Sequence, residues 1–104
     1  MTLNEILQTL RDIKPEYETD GVSILGVFGS YARNQASENS DIDVLIETNN
    51  IFMANHPDGF SGFTKLSKLR EELESTLKTK VDIVDKTGLL QHGNTHILQS
   101  AVYV

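Results

Sequence analysis

Gly29-Ser30-Tyr31-Ala32-Arg33-Asn34-Gln35-Ala36-Ser37-Glu38-Asn39-Ser40-Asp41-Ile42-Asp43 is the stretch on which the fold turns. Just upstream, Val22-Ser23-Ile24-Leu25-Gly26-Val27-Phe28 is an apolar, β-branched run of strand length, opened by the turn signal Asp20-Gly21. Gly29-Ser30 breaks that run. A short helical stretch through Tyr31, Ala32 and Arg33 is expected next, followed by a polar loop to Ser40. A second strand is predicted from about Asp41 to Glu47. Side chains alternate across a strand, so Ile42, Val44 and Ile46 share one face while Asp41, Asp43 and Leu45 share the other.

This layout can hold phosphate at one end and a divalent cation at the other. Phosphate is best gripped where backbone N–H groups point outward at a helix start, helped by a hydroxyl. Gly29, lacking Cβ, lets the backbone come close, and Ser30 supplies the hydroxyl. A Gly-Ser pair by itself is equally an ordinary strand-to-helix turn with a capping serine. Asp41 and Asp43 tip the balance. Their Cα atoms are spaced roughly 6–7 Å apart on one face of a strand, so their carboxylates can converge on a hard cation such as Mg²⁺. Asp41 is explained by a solvated strand end; Asp43, between Ile42 and Val44, is not. Asp82 repeats the pattern inside Lys80-Val81-Asp82-Ile83-Val84. If that third strand lies beside the second, the three acids form one cluster, suited to about two metal ions and a triphosphate. Asp82 is then the natural acceptor for the proton of an attacking hydroxyl. Asp85, at the strand end, is assigned to a turn.

Around this centre, Thr2-x-x-Glu5 reads as a capping box opening a helix whose apolar face is Leu3, Ile6, Leu7, Leu10 and Ile13. Pro15 is expected to close it. Residues 48–62 read as an irregular loop pinned down by Phe52, Met53, Phe60 and Phe63. A helix is predicted from Phe63 to about Leu77, with Leu66, Leu69, Leu73 and Leu77 forming its core stripe. Gly88 and Gly93 mark breaks, and residues from His96 to Val104 form a last short helix or extended tail. The order α–β–short α–β–loop–α–β–α describes a small mixed α/β (α+β) domain spanning residues 1–104 as one unit. His92-x-x-x-His96 has metal-binding spacing, but Gly93 and Asn94 disfavour a helix there and no third ligand is at hand, so it receives no metal role.

The chain has 104 residues and a formal net charge of −6, with no cysteine. Disulfides and thiolate metal sites are therefore excluded, and a cytoplasmic location is expected. An acidic chain without clustered basic residues gains nothing from phosphate neutralisation, so stable nucleic-acid binding is not expected. No stretch has the length and apolarity of a membrane span or a signal peptide.

Gly29-Ser30, ten residues, then Asp41-x-Asp43, with Val81-Asp82-Ile83-Val84 downstream, resembles the DNA polymerase β-like nucleotidyltransferase superfamily. The fuller string Gly-Ser-Tyr-Ala-Arg before Ser-Asp-Ile-Asp-Val-Leu-Ile is similar to its smallest branch, the minimal nucleotidyltransferases of prokaryotes. The resemblance implies the polymerase β-like nucleotidyltransferase fold. It also implies that Gly29 and Ser30 contact the triphosphate of ATP, and that Asp41, Asp43 and Asp82 are the catalytic, Mg²⁺-ligating carboxylates. Arg33 falls at the family's motif arginine and is assigned to the nucleotide, with a surface ion pair as its alternative. Many members have Gly after that arginine; Asn34 tolerates a left-handed backbone and can keep the turn.

In this branch the resemblance further implies an antitoxin paired with a HEPN-domain ribonuclease toxin, silencing it by transferring AMP from ATP to a toxin tyrosine. The small size fits, because nothing remains to grip a polymer or template. Two other readings stand beside it: an antitoxin that merely occludes its toxin, and a nucleotidyltransferase acting on a small molecule.

Overall fold

The structure, a computed structural model, describes residues 1–37, 39–91, 93 and 96–104, with His96 described by its backbone alone. His92 and the His96 side chain thus lie outside the described residues. Ten elements follow one another: α1 (Leu3–Glu18), β1 (Val22–Phe28), α2 (Gly29–Ala32), β2 (Ile42–Thr48), α3 (Asn50–Asn55), α4 (Phe60–Leu77), β3 (Val81–Asp85), α5 (Lys86–Gln91), α6 (His96–Gln99) and β4 (Val102–Tyr103).

The strands form one mixed sheet in the order β3-β2-β1-β4, with β2 antiparallel to β1 and parallel to β3. One face carries the main core, where Ile24, Val27, Ile42, Val44 and Ile46 meet Ile6 and Leu10 of α1 and Leu69 and Leu73 of α4. All nine of these side chains are fully buried. Each such burial stabilises by about 1.5–3 kcal/mol, so this layer fixes the sheet against the two long helices. The opposite face is covered by a smaller cluster of Phe28, Leu45 and Leu89, extended by Leu25, Val84, Ile97, Leu98 and Ala101. A register shift between Ile24 and Gly26 lets Ile24 and Val27 both face the main core and turns Phe28 to the side of Asp43 and Leu45.

Several expectations are corrected. The capping box at Thr2 and Glu5 is present, but α1 runs through Pro15 to Glu18. An interior proline costs about 3 kcal/mol, largely by depriving the carbonyl four residues back of its partner. Here that carbonyl belongs to exposed Arg11, where water can serve it. The added turn buries Tyr17 completely and hydrogen-bonds its hydroxyl to Glu72 at 2.6 Å. The 48–62 segment is not an irregular loop. The Asn49 side chain accepts hydrogen bonds from the Ile51 and Phe52 amides and starts α3, while Asp58 accepts from the Ser61 amide and hydroxyl at the start of α4. Asn49, a polar residue of the expected loop, is thus a helix cap. The second strand begins one residue later than expected, leaving Asp41 just before it and adding Thr48. Gly88 lies inside α5, so only Gly93 (φ +74°) marks a break.

The tail supplies both α6 and a strand. Gly26 and Val27 of β1 pair with Tyr103 and Val102 of β4, and a Cβ on Gly26 would overlap the Val102 carbonyl. Glycine at that position is what admits β4 to the sheet. Among the described residues no helix is long and apolar enough to cross a membrane.

Candidate active site

The strand register assembles the acids. Asp43 of β2 is flanked by Phe28 of β1 on one side and Asp82 of β3 on the other. Register partners share a sheet face, so Asp43 and Asp82 project together, on the side opposite the main core. Asp41, one residue ahead of β2, comes near enough for its charge to act on Asp43. Asp41 and Asp43 are half-buried and Asp82 is exposed. The register thus brings Asp43 and Asp82 side by side at one end of the sheet, with Asp41 near them.

Gly29 stands against this cluster. Its φ of +75° is in the left-handed region, and a Cβ there would overlap Oδ2 of Asp43. Both constraints select glycine independently, one by backbone conformation and the other by space. From Gly29 the chain makes one helical turn. The Gln35 amide then bonds the Ser30 carbonyl at 2.8 Å and the Asn34 amide bonds the Tyr31 carbonyl at 3.2 Å. That pair of bonds around a left-handed residue is a Schellman ending, with Asn34 (φ +57°) in the glycine role. The turn expected to survive the Gly-to-Asn departure does survive. Ser30 is half-buried, and its hydroxyl makes no hydrogen bond among the described residues. Arg33 is exposed, 3.4 Å from the Gln35 side-chain oxygen through Nε, and forms no ion pair among the described residues. Its charge nonetheless reaches Asp43.

Electrostatics mark Asp43 as the stressed member. Burial raises its pKa above the ordinary value, and the like charges of Asp82 and Asp41 raise it further, with Arg33 opposing. A group strained in this way favours a cation beside it. Three hard carboxylates suit Mg²⁺ by donor chemistry, since that ion prefers oxygen ligands and keeps sites for water and substrate phosphate. Among the described residues, however, no three His, Cys, Asp or Glu side chains close around a common point as a finished metal cage. The acids are neighbours, gathered on one face without being drawn together.

The remainder of the site was not foreseen. Phe28, Leu45, Val84 and Leu89 form an apolar wall behind the acids, held by α5 and α6. The signal was present in Leu45, predicted on the same face as Asp43: an apolar residue there needs a cover. Asp85, expected in a turn, instead ends β3 directly before α5, accepting from the Thr87 amide at the helix start at 2.9 Å and from the Thr48 hydroxyl at 3.1 Å.

A Gly-Ser turn abutting paired aspartates on a mixed sheet, with a third acid on the neighbouring strand, defines a nucleotidyl-transferring class of domain. The chain belongs to the nucleotidyltransferase domain family, whose model matches residues 3–104. It is 37% identical over 105 residues to the protein adenylyltransferase MntA of Thermococcus cleftensis, covering 100% of this chain and 97% of that protein. It is 36% identical over 104 residues to MJ0435 of Methanocaldococcus jannaschii, provisionally named a protein adenylyltransferase, covering 100% of this chain and 99% of that one. A solved structure assigned provisionally as a minimal nucleotidyltransferase superposes with a TM-score of 0.72 at 27% identity, over 100% of this chain and 97% of the other.

Proposed function

We propose that this nucleotidyltransferase is the antitoxin of a toxin–antitoxin pair, and that it silences a HEPN-domain RNase toxin by moving AMP from ATP onto a toxin tyrosine. The observation that carries the reading is the β2–β3 register, which sets Asp82 beside Asp43 with the Gly29 backbone against the latter. The protein-adenylyltransferase name of the 37%-identical Thermococcus relative supports a protein acceptor.

In this reading the tyrosine oxygen attacks the α-phosphorus of ATP in line. The new O–P bond forms as the bond to the bridging oxygen breaks, and pyrophosphate leaves with that electron pair. Asp41, Asp43 and Asp82 would hold Mg²⁺, whose chemistry is to neutralise phosphate charge and acidify the attacking hydroxyl. Asp82, exposed and nearest the open side of the sheet, takes the phenolic proton. Gly29 and Ser30 offer backbone and hydroxyl donors to the triphosphate, and Arg33 adds a positive charge at its edge. The chain's contribution is positioning and fixed electrostatics, which phosphoryl and nucleotidyl transfers chiefly need.

The test is to incubate the chain with ATP, Mg²⁺ and its HEPN-domain partner and weigh the partner. A gain of one or more adenylyl masses on tyrosine is expected, lost in a variant combining Asp41→Asn with Asp43→Asn. If that double variant still neutralises the toxin fully, occlusion and not transfer is the activity.

A further inference from the structure

β3 lies at the edge of the sheet, paired on one side only, to β2. The bond from the Ile42 amide to the Lys80 carbonyl (2.9 Å) fixes which way its backbone faces. By alternation, Lys80, Asp82 and Val84 address β2, while Val81, Ile83 and Asp85 turn their backbone groups outward. The outward amide of Val81 is taken by Glu74 Oε2 at 2.9 Å. Ile83, between Asp82 and Val84, has no such partner among the described residues. Sheet edges with unpaired backbone are templates for another strand unless blocked.

Beside that edge runs a groove of about 260 Å³ between α4 and β3, lined by Phe63, Leu66, Ser67, Arg70 and Ile83. Phe63 is 70% exposed, a large apolar surface to leave in water without a partner. Arg70 is the single charged residue of the lining and makes no ion pair among the described residues. An open backbone edge selects an extended polypeptide over a small molecule, and an unpaired cation in an apolar groove selects a carboxylate.

We propose that the edge of β3 and the α4–β3 groove are the docking surface for the acceptor, which binds as an extended segment antiparallel to β3, pairing its backbone with Ile83. The residue opposite Ile83 is apolar and enters the groove against Phe63 and Leu66. A carboxylate two residues on, on the same face, meets Arg70. The residue next to the apolar one turns to the other face of the sheet, beside Asp82. One register therefore fixes both affinity and the placement of the acceptor hydroxyl, as strand addition does elsewhere. The identity of that hydroxyl as tyrosine rests on the function proposed above; the docking itself does not.

The probe is the capped pentapeptide Val-Thr-Val-Tyr-Glu, run antiparallel to β3 so that its central valine exchanges both backbone bonds with Ile83 and its tyrosine lies across from Asp82. Binding is read by the chemical shift and hydrogen exchange of the Ile83 amide, and transfer by peptide mass with ATP and Mg²⁺. We expect the Ile83 amide to shift and its exchange to slow. N-methylation of the central valine, which deletes one backbone donor, weakens binding about tenfold. Arg70→Glu, a surface change, also weakens it about tenfold, and a peptide with Lys in place of Glu recovers the loss. Binding with this pattern but without adenylylation leaves the docking surface standing and removes the tyrosine-transfer reading. An unmoved Ile83 amide, or binding indifferent to N-methylation, overturns the proposal. So does concentration-dependent protection of Ile83 without peptide, which gives the edge to a second copy of the chain.

Discussion

Replacing Gly29 by alanine tests whether the glycine of the motif serves the backbone, the aspartate or both. The backbone part follows from its φ of +75°. An L-residue held in the left-handed region costs about 1–2 kcal/mol. The second part follows from space: the new methyl would overlap Oδ2 of Asp43, so that carboxylate must move. Misplacing a reacting group by about 1 Å costs about 10²-fold in rate.

Gly59 separates the two contributions. Its φ is +71°, yet a Cβ there meets nothing within 4 Å, and it lies at the start of α4, outside the candidate site. Gly59→Ala should therefore lose about 1–2 kcal/mol of stability and keep wild-type transfer. Gly29→Ala should lose at least the same stability and about 10²-fold in transfer rate. Urea titration of both variants, with adenylylation initial rates at saturating ATP, gives the comparison. A Gly29→Ala variant that transfers at the Gly59→Ala rate would refute the claim that Gly29 exists to seat Asp43.

Tyr17→Phe removes the 2.6 Å bond to Glu72; burial first, and then that carboxylate, hold the Tyr17 pKa far above its usual value, and a loss of about 1.5–3 kcal/mol is expected from urea denaturation. Asp20→Ala breaks bonds to His56 (2.8 Å) and Asn55 (2.7 Å) and should cost about 1–2 kcal/mol near neutral pH. Those bonds, His56 first, lower the Asp20 pKa below 3.8, so its stabilisation is present above 3.8 and lost as pH falls through the lowered value. The stability gap between wild type and Asp20→Ala should close in that acidic window, read by chemical denaturation at stepped pH. Mg²⁺ at about 100 times its dissociation constant should stabilise the wild type by about 2.7 kcal/mol and leave the variant combining Asp41→Asn with Asp43→Asn unmoved, measured by calorimetry without ATP.

What could be read from sequence was what depends on near neighbours. Strand alternation alone put Asp43 and Leu45 on one face and Ile42, Val44 and Ile46 on the other, and burial follows that division. Asn34 was legible as a glycine substitute because left-handed tolerance belongs to the residue itself. The loop expected over 48–62 fails at Asn49, because an asparagine in a loop and one that caps a helix look alike until the Ile51 and Phe52 amides reach it. Pro15 was misread for a longer-range reason: the helix continues because Tyr17 finds Glu72, 55 residues away. β4 has only two residues, too few for a periodic signal, and exists because Gly26 leaves room for it.

The same division of faces accounts for how an acid survives inside β2. On the main-core side, α1 and α4 pack on the sheet, and among the described residues no charged side chain is buried there. On the other side the cover is partial: Phe28, Leu45, Val84 and Leu89 pack together under the last helices, leaving Asp43 and Asp82 beyond the edge of that cluster. Asp43 is thus partly desolvated by the apolar wall while keeping an open side, and its raised pKa has that burial as the largest cause and the neighbouring acids as the next. Full cover would drive the carboxylate to its neutral form, useless for holding a cation. Full exposure would let water screen the charge and weaken its grip on phosphate-bound metal. A sheet sealed on one face and half sealed on the other provides the intermediate condition, and the second, smaller core is what sets it.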